Sequence, residues 1–281
     1  MEKFINIKGK LISLDVPLVM GIVNVTPDSF FAGSRKQTEQ EIISRCTQIL
    51  EQGGNIIDIG AQSTAPTSSF LSADEEAHRL MPALQLIRHE FPHAILSVDT
   101  FYADIAKRAV EEYGADMIND ISGGEIDKQM FSAIAQLNVP YILMHMRGTP
   151  QTMQQFTDYA NFLQDILYYF SEKIARLNEL GVNDIVIDPG FGFSKTMEQN
   201  YELMSYLKYF SIFDAPILVG ISRKSMIYRL LESSPQESLN GTSVLNTYAL
   251  ISGAHILRVH DVREAVECVR LTSKINEFNK N

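Results

Sequence analysis

Eight short apolar runs, rich in β-branched and aliphatic residues, recur along the chain, and each stops on polar residues. They are LVMGIVN from Leu18, NIIDIG from Asn55, AILSVDT from Ala94, DMINDI from Asp116, YILMHM from Tyr141, DIVIDPG from Asp184, PILVGIS from Pro216 and HILRVH from His255. The runs are continuous rather than alternating, as in strands covered on both faces within a parallel sheet. Between them lie segments of helical period. Ala77, Leu80, Met81, Leu84 and Phe91 mark one stripe, and Val262, Ala265, Val266 and Val269 another. Strand then helix, eight times in 281 residues, predicts an α/β fold of the (β/α)8 TIM-barrel type. An open doubly wound sheet satisfies the same periodicity, because periodicity does not report closure. The leading FINIKGKLISL reads as an N-terminal β-hairpin within residues 1–15, turning at Lys8-Gly9-Lys10 and plugging the lower end of a barrel over 18–278. Residues 1–281 are read as one domain.

Composition narrows the function classes. A net charge of −10 argues against a nucleic-acid surface, which needs a basic face, but not against a small anion held by a local cluster of cations. Cys46 and Cys268 lie in no CxxC and cannot build a disulfide framework, so they read as reduced thiols. MEKFINIKGKLISLD has no basic stretch followed by an apolar core, and no apolar run approaches the ~20 residues of a membrane span. A cytoplasmic protein with no membrane partner is expected. In that compartment the acceptor patterns at Asn24 and Asn240 carry no glycan.

The strand ends hold Asn24, then Ser63 and Thr64, Asp99, Asn119 with Asp120, His145, Asp188, Ser222-Arg223-Lys224, and Arg258 with His260. Any one of these is an ordinary loop or helix-capping residue. In a barrel, however, the carboxyl ends of all strands converge on one mouth, where active sites are built. Asp99, Asn119 and Asp188 would form an acceptor-rich, donor-poor wall suited to a flat heterocycle with several N–H donors. Arg223, Lys224, Arg258 and His260 would form a cationic wall suited to phosphate. The competing reading of Asp99 and Asp188 is a structural salt bridge within the mouth. The six histidines show no zinc spacing. Mg2+ needs few protein ligands when phosphates supply the rest, so Asn24 alone would suffice. GFGFSK is not a dinucleotide fingerprint, and no P-loop is present.

Taken in order, MGIVNVTPDSF, IDIGAQST, SVDTF, INDISGG, MHMRGTPQTM, VIDPGFGFSK, VGISRKSMI and ILRVHDV resemble the dihydropteroate synthase family from Leu18 onward. The resemblance implies condensation of 6-hydroxymethyl-7,8-dihydropterin diphosphate with 4-aminobenzoate, giving dihydropteroate and pyrophosphate. It implies that Asp99, Asn119, Asp188 and Lys224 hold the pterin, with Met144 and Gly220 packing near it. Asp99 and Lys224 would act as the catalytic pair. Asn24 would bind Mg2+ on the diphosphate, and Arg258 with His260 would grip the phosphates. Thr64, Phe193 and Ser225 would border the aminobenzoate pocket, the loop after Asn24 would act as a lid, and the protein would be a homodimer. Two departures stand out: Ala65 replaces an expected loop arginine, and Gln62 a common glutamate. Arg35 is a candidate substitute cation. Corrinoid-linked pterin methyltransferases share the barrel but need no diphosphate grip, so SRKS and RVH argue against them. A pterin-binding paralogue without turnover is the other alternative, motivated by Ala65.

Overall fold

The computed structural model describes residues 2–25, 35–62 and 71–279. Strand β1 (Phe4–Ile7) pairs antiparallel with β2 (Lys10–Ser13). The turn between them puts two successive residues at positive φ, Lys8 at 49° and Gly9 at 84°, a twist that matches paired strands and favours glycine. Asn6 Oδ1 accepts from Gly9 N at 2.8 Å and closes the turn. Ile5 and Ile7 then join Leu14, Leu18, Met20, Ile56, Met117, Ile142, Val186, Leu218 and Ile256 in one buried layer. Most of these lie at the amino ends of the barrel strands, so the hairpin plugs that end.

The barrel strands are β3 (Leu18–Asn24), β4 (Ile56–Gly60), β5 (Ile95–Asp99), β6 (Met117–Asp120), β7 (Tyr141–Met144), β8 (Ile185–Asp188), β9 (Leu218–Val219) and β10 (Ile256–Val259). All are parallel, in the order β8-β7-β6-β5-β4-β3-β10-β9. A parallel bridge between Ile187 and Ile217, with Ile187 N donating to Pro216 O at 2.9 Å, joins the two ends. The sheet is therefore a barrel and not an open doubly wound sheet. Its strands are buried on both faces, which accounts for the continuous apolar runs.

Helices α1 (Arg35–Glu51), α2 (Ala73–Glu90), α3 (Ala103–Glu111), α4 (Met130–Leu137), α5 (Phe162–Glu179), α6 (Met197–Ser205), α7 (Ser225–Leu230), α8 (Leu239–Ile251) and α9 (Val262–Asn279) surround it. Helix α2 shows why they form where they do. Ser72 and Glu75 make a reciprocal capping box, acidic residues fill the first turn, and Leu80, Met81, Ala83, Leu84 and Ile87 are buried. None of the described helices is long and apolar enough to cross a membrane.

Candidate active site

Strand register sets the site. Asn24 pairs with Gly60, Gly60 with Asp99, and Asp99 with Asn119, so four strand ends stand level around the rim. Met144 pairs with Asp188 in the same way. A Cβ on Gly60 would lie 3.0 Å from Asp99 Cβ, so the glycine makes room for that carboxylate. The mouth is a cavity of about 1220 Å3 lined by Asn24, Asp99, Asn119, Met144, Asp188, Phe193, Gly220, Lys224, Ser225, Arg258 and His260, with further residues at its margins. A single drug-sized ligand needs ~300–1,000 Å3, so two substrates fit side by side. Ile121, Met144, Met153 and Phe193 supply apolar lining and pack with Phe101 and Met146 in one buried cluster.

The centre of the mouth is a network that the sequence did not disclose. Asp58, fully buried in mid-strand β4, accepts from Ser97 Oγ at 2.6 Å, Arg258 Nε at 2.6 Å and Asn119 Nδ2 at 3.3 Å. Arg258 Nη2 reaches on to Asp99 Oδ2 at 2.7 Å. The acceptor wall is thus not donor-poor: a guanidinium lies among its carboxylates. Asp99 does belong to an ion pair, whereas Asp188 accepts from Gly190 N at 2.8 Å. With its Nδ2 engaged by Asp58, Asn119 can present its amide oxygen to a ligand N–H. Signals for Asp58 existed, since a carboxylate inside an all-apolar strand needs a buried partner.

Burial dominates the electrostatics. It pushes Asp99 up to about 7 despite Arg258, with Asp58, Glu76 and Asp120 adding to the rise. Burial also raises Asp188, which Lys224 and the Gly190 N–H oppose. Lys224 is brought down to about 8 by burial, against the pull of Asp188. Its ammonium donates to Phe191 O and stands 4.6 Å from the Phe193 ring centroid. Burial, then Arg258, lowers His260 to about 4, so its imidazole is neutral at physiological pH.

Three expected mouth residues are directed elsewhere. Asp120 accepts from Tyr141 Oη at 2.7 Å, Ser122 N at 2.7 Å and Gly124 N at 2.8 Å, which fixes the loop after β6. His145 is buried against Tyr169 and Phe170 of α5, with Lys195 Nζ 3.0 Å from its Nδ1. Neither Asp120 nor His145 lines the cavity. Adjacent strand residues point to opposite faces, so Asn119 and Met144 face in and their successors face out. Arg223 borders the cavity, but its guanidinium forks onto Asp261 at 2.9 and 2.8 Å and onto the carbonyls of Pro235 and Gln236. Its charge is committed.

Glu76, Arg79, Lys195 and Arg229 were not anticipated as part of this region, whereas Gln62 had been noted only as a departure in its loop. Gln62 Nε2 donates to Glu76 Oε2 at 2.7 Å and to Leu71 O at 2.9 Å. Ser63, Thr64, Ala65 and the lid expected after Asn24 lie outside the described residues, as does the side chain of Arg35. Among the described residues, no three His, Cys, Asp or Glu side chains cluster as metal ligands. Asn24 does stand at the rim of the cavity. Its amide oxygen is the kind of hard donor that Mg2+ takes when phosphates and water complete the shell.

Comparison with known proteins agrees with this geometry. The family described as "Pterin binding enzyme" matches residues 20–260. The dihydropteroate synthase of Escherichia coli strain K12 is 39% identical over 276 residues, covering 98% of this chain and 97% of its own. That of Synechocystis is 40% identical over 260 residues, covering 92% and 89%. Among solved structures, the Yersinia pestis dihydropteroate synthase with a sulfonamide drug superposes with a TM-score of 0.90 at 36% identity, covering 98% and 100%. The Xanthomonas albilineans dihydropteroate synthase with 4-aminobenzoic acid gives 0.88 at 32%, covering 98% and 99%.

Proposed function

The chain belongs to the dihydropteroate synthases within the pterin-binding enzymes, and from that premise we propose how its mouth divides the work of this folate-synthesis transferase. The pterin ring lies against Asp99, Asn119 and Asp188, with Lys224 at its edge and Met144 and Gly220 beside it. Arg258 and His260 hold the diphosphate. Among the described residues Arg258 uses two of its five N–H donors on Asp58 and Asp99, which leaves three to meet phosphate oxygens. Thr64, Phe193 and Ser225 border the aminobenzoate, Thr64 from outside the described residues. The supporting observation is one cavity that gathers Asp99, Asn119 and Asp188 with Lys224, Ser225 and Arg258.

In the reaction the arylamine nitrogen attacks the exocyclic methylene of the pterin. A C–N bond forms, the C–O bond to the diphosphate breaks, and pyrophosphate leaves with the electron pair. The amine then releases one proton. An arylamine is nucleophilic when neutral, so the site needs no strong general base. Asp99 stabilises positive charge shared between the methylene and the ring, while Arg258 and Lys224 offset charge growing on the leaving group. Mg2+, held by Asn24 and the diphosphate oxygens, would supply further neutralisation there.

We place this single-domain protein in the cytoplasm, in keeping with two buried free thiols, and as a homodimer. Exposed Val244, Tyr248 and Ile251 of α8 and Leu271, Ile275 and Phe278 of α9 offer an apolar face on two packed helices. The function is tested by adding the pterin diphosphate, Mg2+ and 4-aminobenzoate to the purified protein. Pyrophosphate and dihydropteroate should appear in equal amounts and stop on chelation of the metal. Pterin binding without aminobenzoate-dependent pyrophosphate release would overturn the synthase reading in favour of a silent binder.

A further inference from the structure

Among the described residues, six cations line the mouth: Arg79, Lys195, Arg223, Lys224, Arg229 and Arg258. Arg223 is forked onto Asp261, and Arg258 spans Asp58 and Asp99. The Lys195 ammonium is saturated by His145 Nδ1 at 3.0 Å, Gly190 O at 2.9 Å and Phe193 O at 3.0 Å. Lys224 donates to Phe191 O. Arg79 feels Glu75 only as a minor electrostatic influence and has no ion pair among the described residues, but it stands on α2. Arg229 is the uncommitted cation on the helix that carries Ser225. It is exposed, and among the described residues it has neither a carboxylate partner nor a side-chain hydrogen bond.

Arg229 is placed where an anion would need it. It follows Ser225 by four residues on α7, so the two side chains leave one face of that helix, and both line the mouth with Tyr228. In the proposed reaction the amine of 4-aminobenzoate turns inward to the methylene, between Phe193 and Lys224. Its carboxylate, at the opposite end of the ring, then points outward past Ser225 to the rim. Position 65, where the family resemblance leads one to expect an arginine, is an alanine.

We propose that Arg229 is a specificity-determining residue that pairs with the carboxylate of 4-aminobenzoate, supplying from α7 the cation absent at position 65 and selecting anionic arylamines over neutral isosteres. This rests on the function proposed above. A planar guanidinium meets a carboxylate through two parallel N–H donors, which adds orientation to charge. At a solvated rim such pairs are weak, so removal should cost roughly two- to fivefold in KM. The effect should shrink in 0.5 M salt, where the screening length falls to a few ångströms.

The test compares 4-aminobenzoate with neutral 4-aminobenzamide in the full-length wild type, Arg229→Gln and Arg229→Lys. Arg229→Gln should raise KM for the benzoate roughly two- to fivefold while KM for the benzamide and for the pterin diphosphate stays within about 1.5-fold. Arg229→Lys should keep most of the wild-type preference. An unchanged benzoate-to-benzamide ratio in Arg229→Gln would overturn the assignment, and so would an equal rise for both amines. If the wild type releases no pyrophosphate with 4-aminobenzoate, the proposed function falls and the inference with it. Turnover with an unchanged ratio defeats the inference alone.

Discussion

Asp58→Asn tests the network at the centre of the mouth. The wild-type carboxylate is fully buried and accepts from Ser97, Asn119 and Arg258, whose side chain is only 22% exposed. Asparagine retains one acceptor oxygen and adds two N–H donors among groups that already donate. The Ser97 hydroxyl can rotate to accept, but Arg258 and Asn119 Nδ2 cannot. Breaking a buried ion pair from one side costs ~3–5 kcal/mol, and Arg258 keeps Asp99 and some solvent, which favours the lower end, about 3 kcal/mol. At ~2.1 cal/mol/K per residue, the unfolding entropy of a 281-residue chain is ~0.6 kcal/mol/K, so Tm should fall by ~5 °C. Ser97→Ala is the internal control. It removes one hydrogen bond but leaves the ion pair, and should cost about 1 kcal/mol, or ~2 °C. Both are read by thermal unfolding without ligands, alongside KM for the pterin diphosphate, which should rise in Asp58→Asn as Arg258 loses its anchor. A Tm loss no larger than that of Ser97→Ala, with KM unchanged, would show that Asp58 does not hold Arg258.

Glu76 makes a prediction about pH. Burial pushes its carboxyl up to about 7 from an ordinary 4.5, so the folded state binds this proton more tightly than the unfolded chain. Its stabilising contribution is complete below about 4.5 and is lost as pH rises through 7. In Glu76→Gln, stability measured by urea midpoint should decline less steeply across that interval than in the wild type, and parallel curves would refute the assignment. Sedimentation equilibrium should find a dimer, and Ile251→Glu with Leu271→Glu should shift it toward monomer. A monomeric wild type at micromolar concentration would remove the apolar face of α8 and α9 as an interface.

How far the sequence reached can be followed residue by residue. All eight strands begin and end near the positions where the apolar runs do, and the turn at Lys8-Gly9 caps the hairpin. Each feature depends on neighbours within a few residues, through propensity, periodicity and turn chemistry, which a linear string contains. Asn24, Asp99, Asn119, Asp188, Lys224 and Arg258 line the mouth because barrel topology gathers strand ends wherever the strands fall.

What escaped the sequence was inward or outward parity. In a half-exposed strand, alternation of polar and apolar residues shows which side faces the core. Here both faces of the sheet are buried, so Asn119 and Asp120, or Met144 and His145, look equally inward until the barrel is built. The partners of charged groups escaped for a related reason. Asp58 and Arg258 are 200 residues apart, and only the pairing of the last strand, β10, with the first barrel strand, β3, brings that guanidinium within reach of Asp58 on the next strand, β4. Arg223 and Asp261 are likewise 38 residues apart, and their pairing removes a charge that the sequence had assigned to the mouth. The sequence alone determined the order of elements and the chemical types at their ends. The tertiary structure decided which of those groups meet, because a side chain's direction and its counter-charge depend on strand pairing and barrel closure between distant segments.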